Sequence, residues 1–426
     1  MKTLLYVMCF VAGLTSAQAQ ETTTEKFKLS GAGRLRFENQ EFTDSLTGSS
    51  SFMSIRLRPN LAYKANDELE FVVEPQFAKR AGAEVYTPSS TTANTLGETS
   101  GNAAYAGDAA TVYQAYMNIK FDSHFSLKGG RQALKYGDEL IVGPANWGLY
   151  GRSFDALVAR WANAGSFVDV IYGKVADFGN RSAGGDRDLY GVYTSWNLGF
   201  WFKSVDVYWL QRMDHDNKNT GGPDDGTDNK YSVAGTRMLF EWGAFNLSAE
   251  YAKGDGSKVF VGDGSGTDMY TATLGYKVTD KHKVALEYAV AGENWNDLYA
   301  TTNRALGRTD VVGRRNIEAI ALHWTSEFSD YFDLEFDYYR FQRASTDTRA
   351  FRTNTTSAFG SATDTSKDLG QELDLTLKYK QNAAITWSVS YSQFLTGSYF
   401  EKTLEQAGLN TDRNPAFYYV MLETKF

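Results

Sequence analysis

The chain has one cysteine, six prolines, four histidines and, after residue 20, no apolar run of helix-spanning length, and each shortage removes a class of protein. Cys9 lies in the apolar segment at the start, so the rest of the chain has no thiol for a disulfide, a nucleophile or a zinc site. It also stands too near the start to follow a complete apolar segment, which argues against a lipid-modified cysteine. A helix that crosses a bilayer needs ~20 apolar residues, so the remaining chain is not a bundle of membrane helices. His124, His215, His282 and His323 show no metal-ligand spacing and read as turn or surface residues, and no metal or other cofactor is implied. No nucleophile motif accompanies them, which argues against a barrel hydrolase and against an enzyme of any kind. The formal net charge of −8 argues against nucleic acid as a partner.

The first residues have the three parts of a secretory leader: Lys2, the apolar stretch Leu4 to Leu14, and the small-residue site Ala17-Gln18-Ala19. A signal peptide of residues 1–19 is expected, cut between Ala19 and Gln20, followed by one domain over residues 20–426. The apolar stretch is too short for a membrane anchor.

What the chain has in abundance is 26 tyrosines, 27 phenylalanines and 39 glycines, a mixture suited to many strands joined by tight turns. Apolar and polar residues alternate with period two, beginning with Phe27, Leu29, Leu35 and Phe37 against Lys28, Ser30, Arg34 and Arg36. Met53, Ile55, Leu57, Leu61 and Tyr63 continue it against Ser54, Arg56, Arg58 and Asn60. Similar segments follow at 69–79, 111–121, 125–135, 154–161, 166–176, 187–197, 202–213, 230–242, 245–254, 268–278, 282–291, 315–328, 331–343, 371–380, 384–395 and 416–426. The expected fold is therefore all-β: a transmembrane, antiparallel, up-and-down barrel of about eighteen strands in a bacterial outer membrane, lipid on one face and a polar lumen on the other.

The connections agree, because short links after every second strand (65–68, 122–124, 197–199, 242–244, 279–281, 329–330 and 381–383) alternate with long polar loops. The longest are 80–110, 213–229, 292–314, 344–370 and 396–415. Trp196, Phe200, Trp201, Trp242, Phe245, Phe328, Tyr331 and Phe332 stand beside the short links, where an interfacial girdle lies. Tyr418, Val420, Leu422 and Phe426 share one face of a last strand ending on an aromatic, the kind of strand that barrel-assembly machinery reads. A sheet in hydrocarbon has to close on itself, since lipid satisfies no backbone amide, so outer-membrane lipids are an expected partner.

Strand phase alone puts Arg34, Arg36, Arg56 and Arg58 in the lumen on two neighbouring strands, where planar guanidinium forks suit carboxylates. The same phase puts Asp333, Glu335, Asp337, Glu372 and Asp374 in the lumen on later strands. Two readings stand side by side: a field between a basic and an acidic wall, or ion pairs that brace a wide barrel.

The stretch GRQALKYGDELIVGPANWGLYGRSFDALVARW from Gly130 to Trp161 resembles the signature of the alginate-export family of outer-membrane barrels. GQELDLTLKYK at Gly370 to Lys380, with YSQFLTGSYF at Tyr391 to Phe400, is similar to that family's last hairpin before the closing strand. The resemblance implies eighteen strands and a passive channel whose arginines select an anionic polyuronate. It implies that role for Arg131 in the GRQ motif, for Arg152 in the GRSFD motif, and for Arg56 or Arg58 in the second strand. Strict alternation from Phe125 points Arg131 toward lipid, and only a bulge at Gly129-Gly130 would turn it inward. A porin for small anions or sugars is the alternative function on the same barrel. The segment 254–268 and the acidic loop 214–228 read as solvated turns rather than calcium sites, having no complete calcium-loop motif.

Overall fold

A computed structural model describes residues 26–41, 49–81, 109–176, 186–215, 228–301, 306–353, 358–409, 411 and 414–426. The expected leader at residues 1–19 and most of the acidic loop lie outside the described residues.

The first nine strands are β1 (Phe27–Glu41), β2 (Ser49–Lys64), β3 (Leu69–Arg80), β4 (Ala109–Lys120), β5 (Phe125–Gln132), β6 (Phe154–Asn163), β7 (Ser166–Ala176), β8 (Arg187–Asn197) and β9 (Phe202–Asp214). There follow β10 (Asn229–Trp242), β11 (Phe245–Gly256), β12 (Asp268–Lys277), β13 (His282–Ala291), β14 (Ile317–Glu327) and β15 (Phe332–Gln342). A small hairpin, β16 (Ala350–Phe351) with β17 (Ala358–Phe359), precedes β18 (Asp368–Asn382), β19 (Ile385–Thr396) and β20 (Ala416–Lys425). Apart from the hairpin, all eighteen strands form one antiparallel sheet, and β1 pairs with both β2 and β20. The sheet is a closed barrel, which leaves no edge to be satisfied in lipid.

Each alternating segment of the sequence is a barrel strand, with ends that differ by a few residues. The largest physical difference is at 125–135, where the strand stops at Gln132 because the chain leaves the wall for the interior. Period two explains the burial: in β6, Phe154, Ala156 and Val158 are buried against the interior, while Leu157 between them is exposed to the lipid side. The aromatics beside the short links all lie exposed on the outside, with Phe200 98% and Trp201 62% exposed. At the opposite rim lipid-facing tyrosines form a second belt, with hydroxyls that donate outward from Tyr251 to Asp268 (2.8 Å) and from Tyr288 to Glu318 (2.9 Å). An eighth short turn, Ala164-Gly165, has both residues left-handed (φ 48° and 82°), the backbone that a two-residue hairpin favours.

Closure depends on Gly31. Its amide donates to the Phe426 carbonyl at 2.8 Å and its carbonyl accepts from the Phe426 amide at 3.1 Å. The Phe426 ring covers it so closely that a Cβ there would sit 2.4 Å from a ring carbon. Gly31→Val is therefore expected to weaken the β1–β20 seam, seen as conversion of the compact band to the unfolded one at a lower temperature in semi-native electrophoresis.

The described parts of the connections 133–153, 292–316, 343–367 and 397–415 turn inward and carry their own core. Trp295, Tyr299, Val312 and Ile317 are buried with Phe341, Phe394, Tyr399 and Phe400, the last two from the helix α1 (Ser398–Gln406). Arg343, fully buried, donates to the carbonyls of Thr348 (2.9 Å) and Ser366 (2.9 Å) and lies 4.0 Å over the Tyr399 ring. It gathers the 343–367 connection around one guanidinium.

Candidate functional site: the arginine ladder and the strap across the lumen

In β1 and β2, Arg34 stands directly opposite Arg56, and Arg36 opposite Ser54. Arg34, Arg36 and Arg58 are buried, Arg56 partly so. Such a row of like charges persists only where acceptors saturate it. The acceptors come from the 133–153 connection, which reaches this wall with the tip Asn146-Trp147-Gly148. Arg34 donates to the carbonyls of all three, at 3.1, 2.9 and 2.7 Å. Arg36 donates to the Trp147 carbonyl at 2.8 Å. Arg56 donates to those of Asn146 and Gly148 at 2.9 and 3.0 Å. Each of the three oxygens thus accepts from two guanidiniums. Arg58 donates to the side chains of Gln76 and Asn146, both at 2.7 Å, and lies 3.6 Å over the Tyr113 ring.

The other end of the same connection is tied half-way round the ring. Arg237 of β10 donates to Asp138 at 2.8 and 2.6 Å, and Ser248 of β11 to the same carboxylate at 3.2 Å. Residues 133–153 are therefore a strap from one wall of the barrel to the wall opposite. Its middle is paired with the 292–316 connection, where the Gly143 amide donates to the Tyr299 carbonyl at 2.8 Å and the Tyr299 amide to that of Ile141 at 2.8 Å. Burial pushes the Asp297 carboxyl of that connection up from the ordinary aspartate range, against the pull of Arg314 and the Trp295 indole N–H.

The sequence-expected residues are thus divided. Arg34, Arg36, Arg56 and Arg58 come together on one inner wall. Arg152 also faces inward, but as part of the strap: it donates to the carbonyls of Gly143 (3.2 Å), Tyr299 (2.5 Å) and Ala300 (3.1 Å). Arg131 does not line the lumen. Alternation holds through Gly129-Gly130 without a bulge, and Arg131 pairs in register with outward-facing Asp155, ion-paired at 3.1 Å. Arg131→Ala is accordingly expected to leave ion selectivity unchanged in planar-bilayer recordings, whereas replacing the inner arginines is expected to alter it.

The acidic residues lie in β18 and β15, three and four strands from β1 rather than across the lumen, with the buried serines 388, 390 and 392 and Tyr419 between. They are largely engaged. Glu335 pairs with Arg308 (3.0 Å) and with Lys378, and Asp333 with Lys380 (2.7 Å). Glu372 accepts from the Arg308 and Thr309 amides at 2.6 and 2.8 Å and from the Thr309 hydroxyl at 2.5 Å. His323 is no surface residue: it sits between Asp337 (2.7 Å) and Glu287 (3.6 Å) on the inner wall. In the 254–268 segment, the Asp263 carboxylate is engaged by Ser265 and Asn294.

Arg308 and Trp147 were not among the sequence candidates. Their signal was faint: a tryptophan in a glycine-rich connection, and an arginine in a loop that also carries Leu306, Val311 and Val312.

A sequence-family model described as alginate export matches residues 27–411. Among solved structures, the outer membrane protein opdK of Pseudomonas aeruginosa superposes with TM-score 0.62 at 9% identity, covering 95% of this chain and 100% of that one. OccK5 (OpdH) of the same organism gives 0.60 at 11%, covering 94% and 98%, and OccAB2 of Acinetobacter baumannii 0.59 at 9%, covering 96% and 99%. At such identities the likeness is one of fold. No curated protein matches the chain.

Proposed function

Because the chain belongs to the alginate-export family and is an outer-membrane channel, we propose that it passes an anionic polysaccharide, an alginate-like polyuronate, by passive diffusion past Arg34, Arg36, Arg56 and Arg58. The observation that carries the proposal is the kind of acceptor these guanidiniums have. Arg34, Arg56 and Arg58 donate to neutral carbonyl and amide oxygens, and among the described residues Arg36 alone of the four pairs with a carboxylate, Glu38. Three carboxylates, Glu38, Glu74 and Glu423, offset part of their charge, and the four guanidiniums leave a positive excess on this wall. A uronate carboxylate is a stronger acceptor than a carbonyl, and forked donors suit its two oxygens. Several arginines in sequence hold the chain weakly at each step, so that it both enters and leaves. Arg152 acts by positioning the strap. No bond is made or broken in this function, and the strand β20, followed by Phe426, is the segment read by the assembly machinery.

Efflux from proteoliposomes tests this directly. Oligomannuronates are expected to leave faster than neutral mannose oligomers of equal length, whereas equal rates would remove the polyuronate assignment. A second reading, a porin for small anionic solutes or sugars, is favoured by one observation: the strap from Arg34 to Arg237 narrows the lumen. Under that reading efflux falls to nothing beyond a short oligomer length.

A further inference from the structure

We propose that Asn146, Trp147 and Gly148 are the resident occupant of a saccharide subsite built from Arg34, Arg36, Arg56 and the rings of Tyr419 and Phe417, and that an entering polyuronate displaces them. This inference rests on the polyuronate reading and adds to it the subsite and the step that opens it.

Three features make the tip resemble the ligand it would give way to. First, its three carbonyl oxygens take six guanidinium contacts between 2.7 and 3.1 Å, two to each oxygen, so donors suited to carboxylates are held by backbone. Second, the Trp147 indole presents a flat apolar face between a cation and two rings. The Arg36 guanidinium lies 4.2 Å from its centre, and the Tyr419 and Phe417 rings meet it edge-on at 5.1 and 6.4 Å. A pyranose ring has the same combination, an apolar C–H face that packs on aromatics and, in a uronate, a carboxylate at its edge. Third, a buried donor remains over: Arg58 Nη2 has no hydrogen-bond partner among the described residues.

The tip is also built to move without the strap. Its base is fixed by the Gly143 amide on the Tyr299 carbonyl, the Ala145 amide on Thr301 Oγ1 (3.1 Å) and the Arg152 clamp. Beyond that base, Ala145 is left-handed at φ 46°, an unfavourable conformation for a residue with a Cβ, and Gly148 and Gly151 follow within six residues. Release breaks the six carbonyl contacts and the two held by the Asn146 side chain, from Arg58 and from the Tyr113 hydroxyl (3.0 Å). A carboxylate replaces neutral acceptors with a charged one, roughly twice as strong. A neutral sugar offers no such gain, so displacement itself discriminates.

Two measurements on the detergent-solubilised full chain test this, with a mannuronate hexamer as probe and a mannose hexamer as control. In the unaltered protein, amides 145–152 are expected to exchange faster with deuterium when the mannuronate is bound, and not with mannose. Trp147→Ala weakens the occupant, so mannuronate is expected to bind about tenfold more tightly than to the unaltered protein. A merely structural Trp147 would leave affinity the same or lower it. If the unaltered protein binds mannuronate while exchange stays unchanged and Trp147→Ala gains nothing, the displaced occupant is overturned and the polyuronate reading stands. Binding by neither form overturns both.

Discussion

Replacing Arg34 and Arg36 together by alanine is expected to raise single-channel conductance and abolish anion preference. The pair supplies four of the six guanidinium contacts to the carbonyls of residues 146–148. Each hydrogen bond to a charged group contributes ~1.5–3 kcal/mol, less where water takes its place, so losing four is enough to detach the tip. Two positive charges leave the lumen at the same time, and the carbonyls left behind attract cations. Lysine separates the two effects. Arg34→Lys keeps the charge but not the planar fork that spans three carbonyls, so conductance is expected to rise while anion preference is retained. Conductance unchanged in both variants would mean that the strap holds without the ladder.

The second large effect is expected at Glu372, which anchors the 306–313 segment to β18. Glu372→Ala leaves the Arg308 and Thr309 amides without their acceptor in a buried setting, a cost of ~1–3 kcal/mol each. Deuterium exchange at these two amides is expected to accelerate by about ten- to a hundredfold, since each 1.4 kcal/mol is tenfold in an opening equilibrium. The segment is packed onto this carboxylate, since a Cβ at Gly307 would sit 2.5 Å from it. Glu372→Gln retains one oxygen acceptor and is expected to fall between. Arg308 still reaches Glu335 at 3.0 Å in either variant, so the segment loosens without leaving the wall.

The wall of the barrel was legible in the sequence because lipid and lumen impose opposite demands on successive residues, and the alternation holds along the strands apart from register shifts such as those at Glu74/Pro75 and Phe341/Gln342. That rule also placed Arg34, Arg36, Arg56 and Arg58 inward, with no knowledge of what they touch. It placed Arg131 outward as well, and the motif resemblance drew the expectation the wrong way. Family motifs mark residues that matter to the fold as readily as residues that meet a solute, and the Arg131–Asp155 pair on the outer face is of the first kind.

The interior was not legible. A connection that folds inward has no period, and its contacts depend on distances set by the closed ring. The strap needs Arg34 on β1 and Arg237 on β10, more than two hundred residues apart in the chain. What the sequence did contain was composition. Ile141, Val142, Trp147, Trp295, Leu298 and Tyr299 are apolar or aromatic residues in connections that read as polar, and such residues in a loop imply a surface to pack on. The acidic wall was placed in the lumen by phase, but its engagement with Arg308 was hidden, because that arginine comes from a loop.

The polyuronate channel stands or falls on single-channel recording in a planar bilayer under a salt gradient, with oligomannuronate and neutral oligomannose of equal length titrated in turn. The expected result is a reversal potential on the anion side and stepwise block by the mannuronate alone, both lost in the Arg34/Arg36 alanine pair. Weak selectivity with no uronate block, or equal block by the neutral sugar, would contradict it and leave an outer-membrane barrel with the conduction of a general porin.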